Sequence, residues 1–139
     1  MRTLIVLAIA AAVSACAHGG GLAPGHLVAG QLAQTDQEFP DGSHYRMFQF
    51  QGRAGDTITA RLTSEDFDAN LILTDAHGNH LADDDGGDCN ARLTITFTQS
   101  GSYQVLVNTA APRATGPFRL SVQAGVPASA SSRPACNRE

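Results

Sequence analysis

Acidic side chains are concentrated in one stretch of this chain. No basic residue lies between Arg61 and Arg92, and eight of the thirteen acidic residues fall there: Glu65, Asp66, Asp68, Asp75, Asp83, Asp84, Asp85 and Asp88. If folding brings these carboxylates together they repel one another, and a divalent cation would remove that cost. Calcium is the suitable ion, because it prefers several hard oxygen ligands from carboxylates, amides and backbone carbonyls.

The sequence therefore predicts a Ca²⁺ site, and the preferred ligands are four aspartates: Asp68, Asp84, Asp85 and Asp88. Asp66, Asn70 and Asn90 are additional oxygen donors, and the spacing is not that of an EF-hand loop. The alternative is that these acidic residues have only a structural role. Asp and Gly also populate solvated turns because they tolerate left-handed backbone geometry, and Asp68 would then only hydrogen-bond a neighbouring loop.

Other reactive side chains do not form a recognisable catalytic pattern. His77 and His80 flank the pair Gly78-Asn79, and a tight hairpin turn explains that pair better than a zinc site, since no further ligand pattern completes one. The sequence contains no nucleophile-elbow, zinc-protease or phosphate-loop motif. We therefore expect a protein that is not an enzyme.

The first fifteen residues have the order of a secretory signal. Arg2 is followed by an apolar run over 4–13 and by the small residues Ser14 and Ala15, and this run is too short to span a bilayer. The residues 13–16, Val-Ser-Ala-Cys, resemble a bacterial lipobox, which implies a lipid on Cys16 and membrane attachment through it. We expect an exported, lipid-anchored envelope protein, in the outer membrane or periplasm of a host with two membranes; ordinary cleavage after Ala17 is the alternative.

The other two cysteines predict a disulfide. In an oxidising compartment an even pair of cysteines indicates a bridge, here between Cys89 and Cys136. It would close a loop of about 48 residues and contribute roughly 4 kcal/mol by the chain-entropy estimate. The alternative is two free thiols.

Composition indicates one folded domain and disfavours a nucleic-acid partner. All nine basic residues are arginine and the net charge is −4, so little is available to neutralise phosphates. The Gly-rich residues 16–25 predict a flexible tether after the signal peptide, 1–15, and the Ala/Ser/Pro-rich residues 125–139 predict a tail. The domain is expected at 26–124.

Within that domain the apolar residues alternate with polar ones. Six clear runs, separated by Asp-Gly and Gly-Asn turn residues, cover 44–51, 57–63, 67–74, 92–98, 102–108 and 117–123, and weaker runs lie near 27–34 and 79–82. Period two with one apolar face is typical of half-buried strands, so we predict an all-β antiparallel sandwich of about eight strands. Tyr45, Phe48 and Phe50 are expected in its core rather than on a ligand-binding face.

Several short motifs, in this order, resemble the bacterial pre-peptidase C-terminal domain. They are Gly30-Gln31-Leu32, Tyr45 to Phe50, Gly55-Asp56-Thr57-Ile58, Phe67-Asp68 with Leu71 and Leu73, Asp75 with Gly78, Asp83-Asp84-Asp85-Gly86, Asn90-Ala91-Arg92-Leu93, Gly101-Ser102-Tyr103 and Gly116-Pro117-Phe118. The resemblance implies a jelly-roll-like β-sandwich. That family is also similar to the collagen-binding domains of clostridial collagenases, which bind calcium. No peptidase accompanies the domain here, which is a departure from the family pattern.

The function expected from these observations is a non-catalytic, envelope-anchored binding module, stabilised by calcium, whose partner is a protein or an envelope polymer. One alternative is a purely structural envelope lipoprotein. Another is an accessory domain that acts with a separate secreted peptidase. The oligomeric state does not follow from the sequence.

Overall fold

The fold is a sandwich of two antiparallel β-sheets. The computed structural model describes residues 21–84 and 90–126. These residues contain nine strands: β1 (Leu27–Leu32), β2 (Gln37–Glu38), β3 (His44–Gly52), β4 (Thr57–Thr63), β5 (Ala69–Asp75), β6 (His80–Asp84), β7 (Ala91–Thr96), β8 (Gly101–Thr109) and β9 (Gly116–Ala124). All eight predicted strands are present, and the additional one, β2, has two residues and carries no alternation by which it could be predicted.

The order of the strands shows that the chain passes repeatedly from one sheet to the other. The four-stranded sheet has the order β1-β9-β4-β7, and the five-stranded sheet has the order β2-β3-β8-β5-β6. Only β2–β3 and β5–β6 are pairs of consecutive strands that hydrogen-bond to each other. The predicted all-β sandwich is confirmed. Within the described residues, no helix has the length and apolar character required to cross a membrane.

The core lies between the sheets and consists of the apolar members of each alternating run. The largest side chains with almost no exposed surface include Phe67, Leu62, Leu71, Leu120 and Val107. Burying a side chain of this size contributes roughly 1.5–3 kcal/mol. The rings of Phe48 and Phe118 meet edge to face across the two sheets, with centroids 6.3 Å apart.

The aromatic residues of β3 divide between its two faces. Phe48 and Phe50 are buried in the core, as predicted. Tyr45 differs from them by an odd number of residues, so alternation turns it to the outer face, where it is half-buried and stacks on Phe39 with centroids 4.2 Å apart. These three residues therefore form neither a shared core cluster nor a shared binding face.

Gly30 of β1 allows the close approach of the core ring of Phe118. A Cβ atom at position 30 would lie 2.6 Å from Cζ of that ring, well inside van der Waals contact. The glycine that belongs to the predicted Gly30-Gln31-Leu32 motif is thus required by packing. It keeps β1 against β9 at the edge of the four-stranded sheet.

The turn between β5 and β6 is organised by Asp75. Its Oδ1 accepts the backbone amides of His77 (2.8 Å) and Asn79 (2.9 Å), and its Oδ2 accepts the side-chain amide of Asn79 (2.8 Å). Gly78 has a φ of 81°, a left-handed conformation that glycine adopts without strain. The two histidines thus flank a hairpin turn, as predicted.

We expect the stability of the domain to fall at acid pH, in part because of Asp75. The hydrogen bonds from Asn79, with a smaller contribution from His77, hold the pKa of Asp75 below its ordinary value. A carboxylate whose folded pKa is lowered stabilises the fold above its unfolded pKa and loses that effect as the pH falls through the folded pKa. Urea denaturation at pH 6 and below pH 3 should therefore show a smaller acid-induced loss for Asp75→Asn than for the wild type.

The matched control is Glu65→Gln, because Glu65 is exposed and accepts no hydrogen bond from the described residues. An equal acid-induced loss in Asp75→Asn and in the wild type would contradict the assignment.

Candidate functional site

Two of the four predicted calcium ligands lie in the described part of the chain. Asp84 ends β6, and its Oδ2 accepts the backbone amide of Arg92 at 2.7 Å, which connects the five-stranded sheet to the four-stranded one. Asp68 lies directly before β5, and its backbone carbonyl accepts the amide of Ala110 at 2.9 Å. This backbone contact connects Asp68 to the loop after β8 and involves no atom of its side chain.

The remaining predicted site residues lie outside the described residues: Cys16, Asp85, Asp88, Cys89 and Cys136. Over 21–84 and 90–126, no three His, Cys, Asp or Glu side chains are grouped so that they could hold a metal ion. Two oxygen atoms nevertheless lack a partner. Oδ1 of Asp68 and Oδ1 of Asn70 are buried without a hydrogen bond from the described residues.

A buried polar cluster surrounds Asn108 at the same end of the five-stranded sheet. Its Nδ2 donates to Oγ of Ser43 at 3.0 Å and to the carbonyl of His44 at 2.8 Å, and its Oδ1 accepts Nδ2 of Asn70 at 3.0 Å. Buried amides need such partners, since an unpaired one costs about 1–3 kcal/mol. The cluster joins β3, β5 and β8 and has a structural role.

A groove of about 610 Å³ lies at the opposite end of the sandwich. Its lining includes the core rings of Phe50 and Phe97, whose centroids are 5.6 Å apart, and the exposed Arg53 and Asp56. The lining contains neither histidine nor cysteine and only one carboxylate. It therefore lacks the converging titratable groups by which a catalytic pocket is recognised.

The outer face of the four-stranded sheet gathers three arginines. Arg61 of β4 lies directly opposite Arg92 of β7 and, on its other side, opposite Ser121 of β9. Arg119 of β9 lies opposite Thr63 of β4, one step along the same face and diagonal to Arg61. Because side chains two apart in a strand share a face, all three guanidinium groups project from the same side. We call this surface the arginine face.

The strands that form the arginine face carry no acidic residue. Strands β1, β4, β7 and β9 contain no Asp or Glu. Among the described residues the ion pairs are Arg46 with Asp36 (3.2 Å) and His80 with Asp83 (3.0 Å), which involve strands β3 and β6 of the five-stranded sheet. The acidic residues of the adjoining turns, Asp56, Glu65 and Asp66, form no ion pair with the face in this part of the chain.

The arrangement of the arginines is unfavourable in the isolated domain. Like charges directly opposite each other on neighbouring strands are destabilising. In addition, Nε of Arg61 is buried and has no hydrogen-bond partner among the described residues, which carries a desolvation cost. Arginine only donates hydrogen bonds, so an anionic acceptor that binds the face lowers the repulsion between Arg61 and Arg92.

Hydroxyl and amide groups surround the arginines. Thr63, Thr94, Thr96 and Gln123 are exposed on this face, and Ser121 is half-buried there. Cross-strand threonines are ordered by mutual hydrogen bonds: Oγ1 atoms lie 2.7 Å apart in Thr57–Thr96 and 3.0 Å apart in Thr59–Thr94. The face is therefore polar, regular and rich in donors and acceptors.

The arginine face does not follow from the sequence alone, in which Arg61 and Arg92 stand out only as the limits of the acidic stretch. A signal was available, because each of the three arginines occupies a polar position of an alternating run, as Arg119 does between Phe118 and Leu120. However, the alternation does not show that β7, β4 and β9 are neighbours.

Comparison with known proteins agrees with the fold. A family model described as the bacterial pre-peptidase C-terminal domain matches residues 44–109, from the start of β3 to the end of β8, and this confirms the resemblance seen in the sequence. A search of curated proteins finds no significant sequence match.

Two solved structures are similar. The pre-peptidase C-terminal domain of a collagenase from Bacillus anthracis has a TM-score of 0.57 at 14% identity, covering 76% of this chain and 96% of that one. PliG of Aeromonas hydrophila, a periplasmic inhibitor of g-type lysozyme, has a TM-score of 0.56 at 17% identity, covering 77% and 96%. At these identities the likeness shows the fold.

We expect Arg92→Thr to stabilise the isolated domain by about 0.2–1 kcal/mol, because it replaces a like-charge cross-strand pair. Urea denaturation at low salt should show the gain, and added salt should reduce it, since salt screens charges at the surface. Arg53→Thr in the exposed β3–β4 turn is the control, because Arg53 has no cross-strand arginine partner. A loss of stability in Arg92→Thr that does not depend on salt would contradict this account.

Proposed function

We propose that this chain, which contains a bacterial pre-peptidase C-terminal domain over residues 44–109, is a non-catalytic binding module of the cell envelope that contacts its partner through the arginine face. Domains of this family are non-catalytic accessory domains. The observation that carries the proposal is the grouping of Arg61, Arg92 and Arg119 on one acid-free sheet. The partner is an anionic protein or polymer.

The contrast between the two sheets supports this choice of surface. The net charge of the whole chain is −4, and β2, β5 and β6 of the five-stranded sheet carry acidic residues. A local positive surface on an acidic protein directs an anionic partner to that surface. The planar guanidinium fork binds carboxylate or phosphate through two parallel hydrogen bonds.

Export and lipid attachment at Cys16 complete the proposal. The amide of Leu22 donates to the carbonyl of Gln49 at 2.7 Å, and the Leu22 side chain is buried. The folded domain therefore begins only a few residues after Cys16. An extended chain spans at most about 3.5 Å per residue. A lipid on Cys16 would therefore hold the domain close to the membrane surface. We also retain the Cys89–Cys136 disulfide as a proposal.

Two alternatives remain distinct from this proposal. A purely structural lipoprotein would have no partner for the arginine face. An accessory domain acting with a separate peptidase would bind that enzyme or its substrate; the similar domain from Bacillus anthracis is part of a collagenase. Neither alternative requires an anionic partner on the arginine face.

Binding to dextran sulfate, a strongly anionic polymer, tests the proposed surface. We expect the purified protein to bind it in a salt-dependent manner, and the double variant Arg61→Gln/Arg119→Gln to bind about tenfold or more weakly, because two charge-assisted contacts are lost. The control is Arg53→Gln/Arg113→Gln, which removes the same charge from turns. Isothermal titration calorimetry measures both, and equal losses in the two variants would contradict the proposal.

Calcium binding remains a further proposal, and two unpaired oxygens support it. Oδ1 of Asp68 and Oδ1 of Asn70 are hard ligands excluded from solvent without a donor among the described residues. Side chains two residues apart lie on the same side of a strand, so Asp68 and Asn70 lie on the same side of the chain where β5 begins. Asp85 and Asp88 would supply the further carboxylates that calcium requires, whereas Asp84 lies opposite Leu71 and therefore on the other side of the sheet.

A thermal melt with calcium and with chelator tests the metal proposal. At one hundred times its dissociation constant a ligand stabilises by about 2.7 kcal/mol, which raises the midpoint of a domain of this size by roughly 10 °C. Asp68→Asn should abolish the shift, whereas the exposed control Asp56→Asn should retain it. Equal midpoints with calcium and with chelator would exclude the metal site and leave Asp68 as a residue that only fixes a loop.

A further inference from the structure

We infer that the partner of the arginine face is an extended polysaccharide that bears carboxylate groups. The inference rests on the proposed function, since it assigns a ligand to that same surface. Three observations lead to it: the spacing of the arginines, the chemistry of the side chains around them, and the scarcity of exposed apolar groups on the face.

The arginines are distributed across three neighbouring strands. Arg92, Arg61 and Arg119 lie on β7, β4 and β9, which are adjacent in the order β9-β4-β7. Neighbouring strands are about 4.8 Å apart, so the three positions extend over about 10 Å across the sheet. A chain with repeated carboxylates crosses these positions in succession, and each guanidinium group then donates two parallel hydrogen bonds to one carboxylate.

The surrounding side chains match the remaining groups of a sugar chain. Thr63, Thr94, Thr96 and Gln123 are exposed between and beside the arginines, and they offer both donors and acceptors. Sugar hydroxyl groups likewise donate and accept, so they replace the water that these side chains bind in the free protein. Charge thus supplies attraction, and the hydroxyl and amide groups supply neutral contacts along the chain.

A protein partner fits the face less well. Protein–protein interfaces are enriched in aromatic residues and Met as well as in Arg, but the exposed residues of this face include neither an aromatic side chain nor Met among those described. The large apolar residues exposed beside it are Leu27 at the start of β1 (64% exposed) and Val126 after β9 (71%). Both lie at the margin of the sheet.

A membrane surface also fits the face less well. Segments that lie in the lipid interface bury a continuous apolar face and place their basic residues beside it. The arginine face has the opposite arrangement of apolar and charged residues. Charged and hydroxyl groups occupy its centre, and single apolar residues lie at its edge. Anionic lipid vesicles are therefore the comparison that the experiment must include.

The experiment compares four probes with the purified full chain by isothermal titration calorimetry at low and moderate salt: polygalacturonate, neutral dextran, polyglutamate, and phosphatidylglycerol vesicles. We expect polygalacturonate to bind about tenfold or more tightly than polyglutamate or the vesicles, since it combines carboxylates with hydroxyl groups, and dextran not to bind measurably. Arg61→Gln/Arg119→Gln should lose that affinity by about tenfold or more, and Arg53→Gln/Arg113→Gln should retain it.

Amide chemical-shift changes on adding polygalacturonate should be largest on β4, β7 and β9. A thermal melt of each variant shows whether that variant is folded. If Arg61→Gln/Arg119→Gln does not fold, the single variants Arg92→Thr and Thr94→Val, which alter a charge and a hydroxyl of the same face, take its place.

The outcomes separate the two proposals. Equal or tighter binding of polyglutamate or of vesicles, with dextran sulfate still bound through the arginines, would overturn the polysaccharide assignment and leave the binding surface in place. Failure of every anionic probe, dextran sulfate included, would overturn both. Shift changes confined to the end groove near Phe50 and Phe97 would overturn the assignment of the face.

Discussion

Burial of one face of each strand is the constraint on which the rest of this structure depends. Side chains alternate along a strand, so placing Leu62, Leu120 and Leu93 between the sheets necessarily turns their neighbours Arg61, Arg119 and Arg92 to the outside. The same core that stabilises the domain thereby presents the arginines on one surface. A shift of one residue in the register would exchange the two sets, and the cost of exposing the core prevents it.

The two sheets of the sandwich differ in the charged residues that their strands carry. The four-stranded sheet has arginines and no acid, whereas β2, β5 and β6 of the five-stranded sheet carry acidic residues. On the five-stranded side Arg46 is neutralised by Asp36. The arginine face is left with like charges next to one another, an arrangement that a binding partner of opposite charge relieves. An acidic protein thus carries one surface suited to an anionic ligand.

Several local features followed correctly from local sequence. The run Thr57 to Thr63 predicted a strand with the observed bounds, because its alternation is unbroken and Gly55 and Asp56 mark the turn before it. The Asp75–Gly78 turn was predictable for a similar reason, since its hydrogen bonds connect residues no more than four apart. Strand β2 was not predictable, because two residues are too few to show an alternation of apolar and polar side chains.

The sequence by itself determined which side of its strand each residue occupies, because alternation is a local property of extended backbone. It therefore determined that Arg61, Arg92 and Arg119 point away from the core. Only the tertiary structure decided that they lie side by side. Their strands are far apart in the chain and are brought together by hydrogen-bonded pairing within the four-stranded sheet. Long-range pairing depends on the total core that the strands bury together, and no single segment of sequence contains that information.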